Sequence, residues 1–211
     1  CIQCSSAFEI FECSHQVIGV LLFDRLRLPA LGANELFLGL WNELTGQKVF
    51  IQAGSGGVGT FAIQLAKHWG ATVATTTSSG NAALVKGLGA DIVVDYRTQD
   101  FEKVLQDFDV VLNSQDGKTL EKSLNVLKRG GKLISISGPP DPEFGAENSY
   151  SGFLRLVMRL LSSSIRRKSK HLDVRYSFLF MKASGVQLRE ITKLIETGAI
   201  RPVIDRVFPF E

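Results

Sequence analysis

The run Lys48-Val49-Phe50-Ile51-Gln52-Ala53-Gly54-Ser55-Gly56-Gly57-Val58-Gly59-Thr60-Phe61-Ala62-Ile63-Gln64-Leu65-Ala66-Lys67-His68-Trp69-Gly70 decides the fold. Lys48 to Ala53 is a short apolar run of strand character, and from Val58 to Trp69 the residues Phe61, Ala62, Leu65, Ala66 and Trp69 recur at helical spacing. Between them Gly54-Ser55-Gly56-Gly57-Val58-Gly59 fits G-x-G-x-x-G, a pattern that is weak alone and specific where it joins a strand to a helix. Gly54 permits the tight turn, Gly56 lets backbone approach a pyrophosphate, and Gly59 lets the helix pack closely on the strand. The phosphates are then expected at the positive helix N-terminus. Lys67 and His68 suit the negative end of the helix, and Gly70 supplies its stop. Thr60 stands where a Walker A loop requires lysine, which excludes that reading.

Working outward, the strand and helix alternation repeats. Strands are predicted at Ala71 to Thr76, Asp91 to Asp95, Asp109 to Leu112, Lys132 to Ser137 and Arg175 to Met181. Helices are predicted at Asn81 to Leu88, Phe101 to Gln106, Lys118 to Lys128 (closed by Gly130-Gly131), Ser151 to Lys170 and Gln187 to Thr197. Short apolar strands joined by crossover helices imply an α/β doubly wound parallel sheet, the Rossmann fold, with ligands at the carboxyl ends of the strands. Pro202 to Phe210 reads as a final extended run. The apolar side chains Phe153, Leu154, Val157, Leu160 and Leu161 form a helical face expected to pack on the sheet. Residues 1–45 carry apolar clusters without an assignable period and are read as an appendage to a dinucleotide-binding domain at 46–211.

With 45% hydrophobic and 21% charged residues over 211 positions, the chain has the composition of a folded domain, not a disordered one. No stretch reaches the roughly 18 uninterrupted apolar residues of a membrane span, because Arg155 and Arg159 break the run from Phe153 to Leu161. The three cysteines all fall within the first 13 residues, so a disulfide framework is excluded and a reducing, cytoplasmic location is expected. No signal peptide is recognised, and a chain opening on Cys1 and stopping at Glu211 after a strand-like run is expected of a piece of a longer protein. Cys1, Cys4, Cys13 and His15 fit no structural zinc spacing, so no metal is expected. None of Tyr96, Tyr150 or Tyr176 has lysine four residues later, against a short-chain dehydrogenase, and no G-x-S-x-G elbow marks an α/β-hydrolase. Residues 151–211 hold 12 Lys/Arg against 5 Asp/Glu, with a block at Arg166-Arg167-Lys168-Ser169-Lys170. That block is read as a solvated basic face or a lid over the cofactor, with neither nucleic acid nor membrane as partner.

An NAD site places an acid at the end of the second strand, about 20 residues past the first glycine. This chain has Thr75-Thr76-Thr77-Ser78-Ser79 there and no acid before Asp91. Hydroxyls without a carboxylate accept a 2′-phosphate, which favours NADPH; the other reading is a plain strand end and turn. Tyr96 and Arg97 lie on the adenosine side, either bordering the ribose and adding positive charge or standing as surface residues.

Gly46 to Ala53 with the glycine loop, Ala62 to Lys67, Leu88-Gly89-Ala90-Asp91, Asp95-Tyr96-Arg97 and Leu127 to Lys132 together resemble the zinc-independent quinone oxidoreductases of the medium-chain dehydrogenase/reductase superfamily. The resemblance runs from about Gly46 to Glu211. It implies an NADPH-dependent reductase of quinones or α,β-unsaturated carbonyls without catalytic metal, often dimeric through the sixth strand. It places the pyrophosphate on Ser55, Gly56, Gly57, Val58 and Gly59, and the 2′-phosphate near Thr77, Ser78 and Tyr96. The nicotinamide side falls on Asn113-Ser114, Ser137-Gly138 and Phe178-Leu179-Phe180. Two departures stand out: Asn81 replaces the lysine many relatives use for the 2′-phosphate, and residues 1–45 do not match the family's N-terminal catalytic domain. No catalytic residue is assigned, and a dinucleotide-binding module without turnover is the alternative to a complete reductase.

Overall fold

The computed structural model describes residues 44–180 and 185–207. Six strands, β1 (Lys48–Ile51), β2 (Thr72–Thr77), β3 (Ile92–Asp95), β4 (Phe108–Asn113), β5 (Leu127–Ser135) and β6 (Arg175–Phe178), form one sheet in the order β3-β2-β1-β4-β5-β6. Every pairing is parallel. The helices are α1 (Gly57–His68), α2 (Ala82–Gly87), α3 (Phe101–Val104), α4 (Gly117–Leu124), α5 (Pro142–Glu147), α6 (Gly152–Leu161), α7 (Ser163–His171) and α8 (Gly185–Glu196). This is the doubly wound order expected from the alternation, with its switch point between β1 and β4.

The strand period sorts the core into two layers. Val49, Ile51, Val73, Val110, Leu112 and Ile134 face one side, where α1 and α8 cover them. The intervening Phe50, Ala74, Val111 and Leu133 face the other, against Phe101, Leu120, Leu124 and Ile165 of α3, α4 and α7. Adjacent strand residues point to opposite faces, so a central strand of a two-layered sheet is apolar throughout. Leu44, 1% exposed, belongs to the first layer. Helix α1 ends as its sequence suggests: at Gly70 (φ +76) the Gly70 amide reaches the Lys67 carbonyl at 2.9 Å and the Ala71 amide reaches Ala66 at 3.0 Å. That is a Schellman closure, which needs a left-handed residue.

Three expectations are corrected. Strand β5 starts at Leu127, before Lys132, and Gly130-Gly131 lie inside it at a register shift against β4. A Cβ on Gly131 would stand 2.8 Å from the Lys128 carbonyl and 3.2 Å from that of Asp109, so the glycine serves a close backbone approach within the sheet. Second, the helix over Ser151 to Lys170 is two helices meeting at the buried Ser162, whose hydroxyl donates to the Met158 carbonyl at 2.7 Å. It is preceded by α5, started by Asp141 as N-cap and Pro142.

Third, the apolar face of α6 does not pack on the sheet. Met158 is the buried residue of α6, while Phe153, Leu160 and Leu161 are 76%, 65% and 62% exposed. Helix α5 intervenes: Phe144 joins Met158 and Phe178 in a separate small core. A Cβ on Gly145 of α5 would meet Arg155 and Met158, so α6 seats on α5 by that arc and turns its leucines outward. Residues 201–207 form no strand, and among the described residues no helix is long and apolar enough to cross a membrane.

Candidate dinucleotide site

At the carboxyl end of β1 two glycines have no room for a side chain, Gly54 against neighbouring side chains and Gly59 against backbone. A Cβ on Gly54 would lie 2.1 Å from Thr75 Oγ1, and one on Gly59 would lie 2.3 Å from the Ala53 carbonyl and 2.6 Å from Gly54 Cα. Gly57 meets nothing within 4 Å, so its outer face is open. Gly56 caps α1 without a side-chain hydrogen bond. The first amides of α1, on Gly57, Val58 and Gly59, have no intrahelical acceptor and lie at the positive end of the helix. Backbone donors, an open face and no acid in the first turn suit a pyrophosphate.

The threonines of β2 hold this loop in place. Thr75 Oγ1 donates to the Ile51 carbonyl at 2.6 Å, and Thr76 Oγ1 accepts the Ala53 amide at 3.1 Å. Thr77 Oγ1 donates to Ser55 Oγ at 3.0 Å. Thr77 is buried and Ser78 half-buried, with Ser55 between the loop and the end of β2. Tyr96 is exposed, with the Arg97 guanidinium 5.8 Å from its ring centroid. Hydrogen bonding to Tyr96 raises the Arg97 guanidinium above its ordinary range. Asn81 is exposed in the turn before α2. One residue at this rim escaped the sequence reading: Asp95, whose carboxylate accepts the Ser79 amide at 3.1 Å and the Arg97 amide at 2.9 Å. It orders the rim through two backbone donors.

On the other side of the switch point Asn113 is fully buried. Its Nδ2 donates to Gln52 Oε1 at 2.7 Å, and its Oδ1 lies 3.1 Å from both Ser135 Oγ and Ser137 Oγ. Ser137 is exposed, and its hydroxyl also reaches the Gln115 carbonyl at 2.5 Å. The Gly138 amide donates to Ser135 Oγ at 2.9 Å, and Ser114 Oγ to the Gln52 carbonyl at 3.4 Å. Thus Asn113, Ser114, Ser137 and Gly138 do come together at the ends of β4 and β5. Asn113 links them, and behind it stands Gln52, which sequence patterning reads only as a polar close to an apolar strand.

The residues of β6 separate. Phe178 packs edge-on against Phe144 at 5.1 Å, and Leu179 joins the core of the first layer. Phe180 is 61% exposed. Asp141 accepts the Phe178 amide and the Phe144 amide, each at 2.7 Å, tying β6 to α5. Two broad grooves of about 810 and 880 Å³ flank α7, and neither includes an expected site residue. Among the described residues no three of His, Cys, Asp or Glu gather as a metal site; Cys1, Cys4, Cys13 and His15 lie outside those residues.

Residues 88–211 match the family described as zinc-binding dehydrogenase. The chain is 38% identical over 172 residues to the mitochondrial NAD(P)H oxidoreductase RTN4IP1 of Mus musculus, covering 78% of this chain and 42% of that protein. It is 33% identical over 168 residues to 2-methylene-furan-3-one reductase of Solanum lycopersicum, covering 79% and 34%. The quinone oxidoreductase of Coxiella burnetii superposes with a TM-score of 0.64 at 28% identity, over 86% of this chain and 51% of that one. The chain spans less than half the length of these curated relatives. The mitochondrial relative, with its zebrafish, human and bovine counterparts, overturns the expectation of a cytoplasmic location. Scarcity of cysteine marks a reducing environment, and a reducing environment does not single out one compartment.

Proposed function

The chain belongs to the zinc-binding dehydrogenase family, as a quinone-oxidoreductase-like member of the medium-chain dehydrogenase/reductase superfamily, and from that premise we propose an NADPH-dependent reductase of quinones or α,β-unsaturated carbonyls. The observation that carries the cofactor half is the open face of Gly57 at the N-terminus of α1, which has no side-chain cap, in a loop whose Ser55 is hydrogen-bonded to Thr77 at the end of β2.

NADPH, when bound, supplies the hydride. The amides of Gly57, Val58 and Gly59 hold the pyrophosphate, assisted by Ser55 and Gly56. Thr77, Ser78 and the Tyr96-Arg97 pair receive the 2′-phosphate, which Arg97 neutralises. The ends of β4 and β5, at Ser114, Ser137 and Gly138, flank the nicotinamide, and Phe180 offers an apolar side chain at the end of β6. With an electrophilic acceptor held over the ring, positioning does most of the catalytic work and no acid or base is assigned. The reading assigns no role to a metal, in keeping with the resemblance to the zinc-independent quinone oxidoreductases. The end strand β6 offers the edge for a homodimer.

The second reading is cofactor binding without turnover. Calorimetric titration with NADPH and with NADH tests the first half of the proposal. Micromolar NADPH binding at least about tenfold tighter than NADH is expected, a gap of ~1.4 kcal/mol. Binding of neither overturns it. Oxidation of NADPH by a soluble quinone then separates reductase from module.

A further inference from the structure

We propose that Gln52 is a positioning residue for the nicotinamide half of the site, acting through Asn113; this rests on the NADPH reading above. Gln52 follows β1 directly and precedes the glycine loop by one residue. It is 1% exposed, and Asn113, Ser123 and Ser135 are each 0% exposed. Both ends of its amide are used: Nε2 donates to Ser123 Oγ at 2.5 Å, and Oε1 accepts from Asn113 Nδ2 at 2.7 Å.

These bonds have one direction. Ser123 passes its own hydroxyl hydrogen to the Thr119 carbonyl at 2.8 Å, so it faces Gln52 as an acceptor. Gln52 must therefore present its NH2 to α4 and its oxygen to β4. Asn113 in turn must present its NH2 to Gln52 and its oxygen to β5, where the Ser135 and Ser137 hydroxyls meet it at 3.1 Å. With its hydrogen committed to Asn113, Ser135 Oγ is left to accept the Gly138 amide at 2.9 Å and the Ser137 amide at 3.4 Å. The turn on which the nicotinamide is expected is thus oriented from the back of the sheet. The backbone of Gln52 adds a second tie, its amide reaching the Leu112 carbonyl at 3.1 Å.

An apolar residue would fill this space more simply. Glutamate would bury a charge, and asparagine is one methylene shorter. A neutral side chain with a donor at one end and an acceptor at the other closes the relay, and a fully satisfied buried network selects one arrangement over its flipped alternatives.

The test uses the whole 211-residue chain with Gln52→Met and Ser123→Ala, titrated with NADPH and with 2′-phospho-ADP-ribose, which lacks the nicotinamide. Gln52→Met is expected to leave 2′-phospho-ADP-ribose within about twofold, weaken NADPH about tenfold, and lower the fluorescence gain of the bound nicotinamide. Ser123→Ala, which keeps the Gln52-Asn113 bond, is expected to act in the same direction by a smaller factor. Equal weakening of both ligands assigns Gln52 a general structural role and overturns the proposal, as does no change in either. If Gln52→Met does not fold, the Ser123→Ala ratio decides by the same criteria. If the unaltered chain binds NADPH no tighter than 2′-phospho-ADP-ribose, the positioning inference falls and the NADPH reading stands. If it binds neither, both fall.

Discussion

Between β1 and β2 the chain turns through a loop in which Gly54 and Gly59 leave no room for a Cβ, and a single helix carries it back to the sheet. Between β5 and β6 it wanders from 136 to 174 through three helices, one of which turns its apolar face to solvent. The first crossover is fixed by backbone against backbone at Gly59, with the β2 threonine hydroxyls tied to the loop and its strand beside it. The second is held by side chains: Asp141 clamping two amides, Tyr176 donating to the Pro139 carbonyl at 2.6 Å, and Ser162 bending the helix pair. Backbone packing tolerates no substitution yet demands little of the residues around it, whereas side-chain ties tolerate changes of backbone course and depend on the few residues that make them. The first kind of construction holds the amides at the start of α1 in the fixed arrangement that suits a phosphate.

The sharpest way to break that contrast lies within the loop itself. Gly59→Ala forces a methyl into the Ala53 carbonyl and Gly54 Cα, and is expected to lower stability by about 3 kcal/mol, the upper end of overpacking costs. Urea denaturation measures it, and NADPH binding should vanish with it. Gly57→Ala meets nothing within 4 Å, so its stability should stay within about 1 kcal/mol of the parent. Its NADPH affinity should nonetheless fall more than about tenfold, because the methyl occupies the approach of the pyrophosphate. Unimpaired NADPH binding by Gly57→Ala would move the phosphate site elsewhere.

The same contrast extends to aromatic residues. Phe50 is fully buried in β1, with Phe101 and Phe108 rings at 5.2 and 6.1 Å, and Phe50→Ala should cost about 3–5 kcal/mol. Phe153 on α6 is 76% exposed, and Phe153→Ser should change stability by no more than about 0.5 kcal/mol. Parallel urea titrations compare the two. A Phe153→Ser cost approaching that of Phe50→Ala would mean that the outer face of α6 is covered in the folded protein.

These two regions were also unequally legible in the sequence. Local rules carry the first: the glycine spacing, the period of α1 and the stop at Gly70 each depend on neighbours a few residues away. The sheet order follows from the alternation. Gly130-Gly131 show where local rules fail, since a glycine pair reads equally as a helix stop or as a close approach between strands, and only the register of β5 on β4 chooses. Asp141-Pro142 carried a legible helix start that the longer helical pattern after it obscured. For α6 the apolar period was read correctly and its direction was not, because period identifies a face and packing partners decide where it points. Within the Thr/Ser run at the end of β2, the Thr75 and Thr76 hydroxyls serve Ile51 and Ala53 of the neighbouring strand and turn, and Thr77 alone of the three reaches the loop side chain Ser55, a division that composition does not reveal. Gln52 was invisible as a link because its partner Ser123 lies on α4, 71 residues away.

The comparison narrows finally to two neighbours on α4. Ser123 points inward to Gln52, while Lys122 points outward to Glu102 at 2.9 Å and Asp100 at 3.3 Å on the side of α3. Hydrogen bonding to Lys103 and then Lys122 holds the Asp100 carboxyl below its usual range, and Lys122 does the same for Glu102. Carboxyls depressed in the folded state add stability above their unfolded pKa, near 4, and lose it as pH falls through the folded value. Lys122 is raised by the same partners, so its contribution persists below about pH 10.4 and fades as pH rises past its folded value. Lys122→Met should therefore lower Tm at pH 7 by less than about 3 °C and shrink the further loss on acidification below pH 4, since exposed pairs are screened by water. Its NADPH affinity should equal the parent's, in contrast to Ser123→Ala one residue along. A thermal scan across pH together with one NADPH titration reads both, and a Lys122→Met effect on NADPH as large as that of Ser123→Ala would show that α4 moves as a whole and that the inward relay has no privileged route to the site.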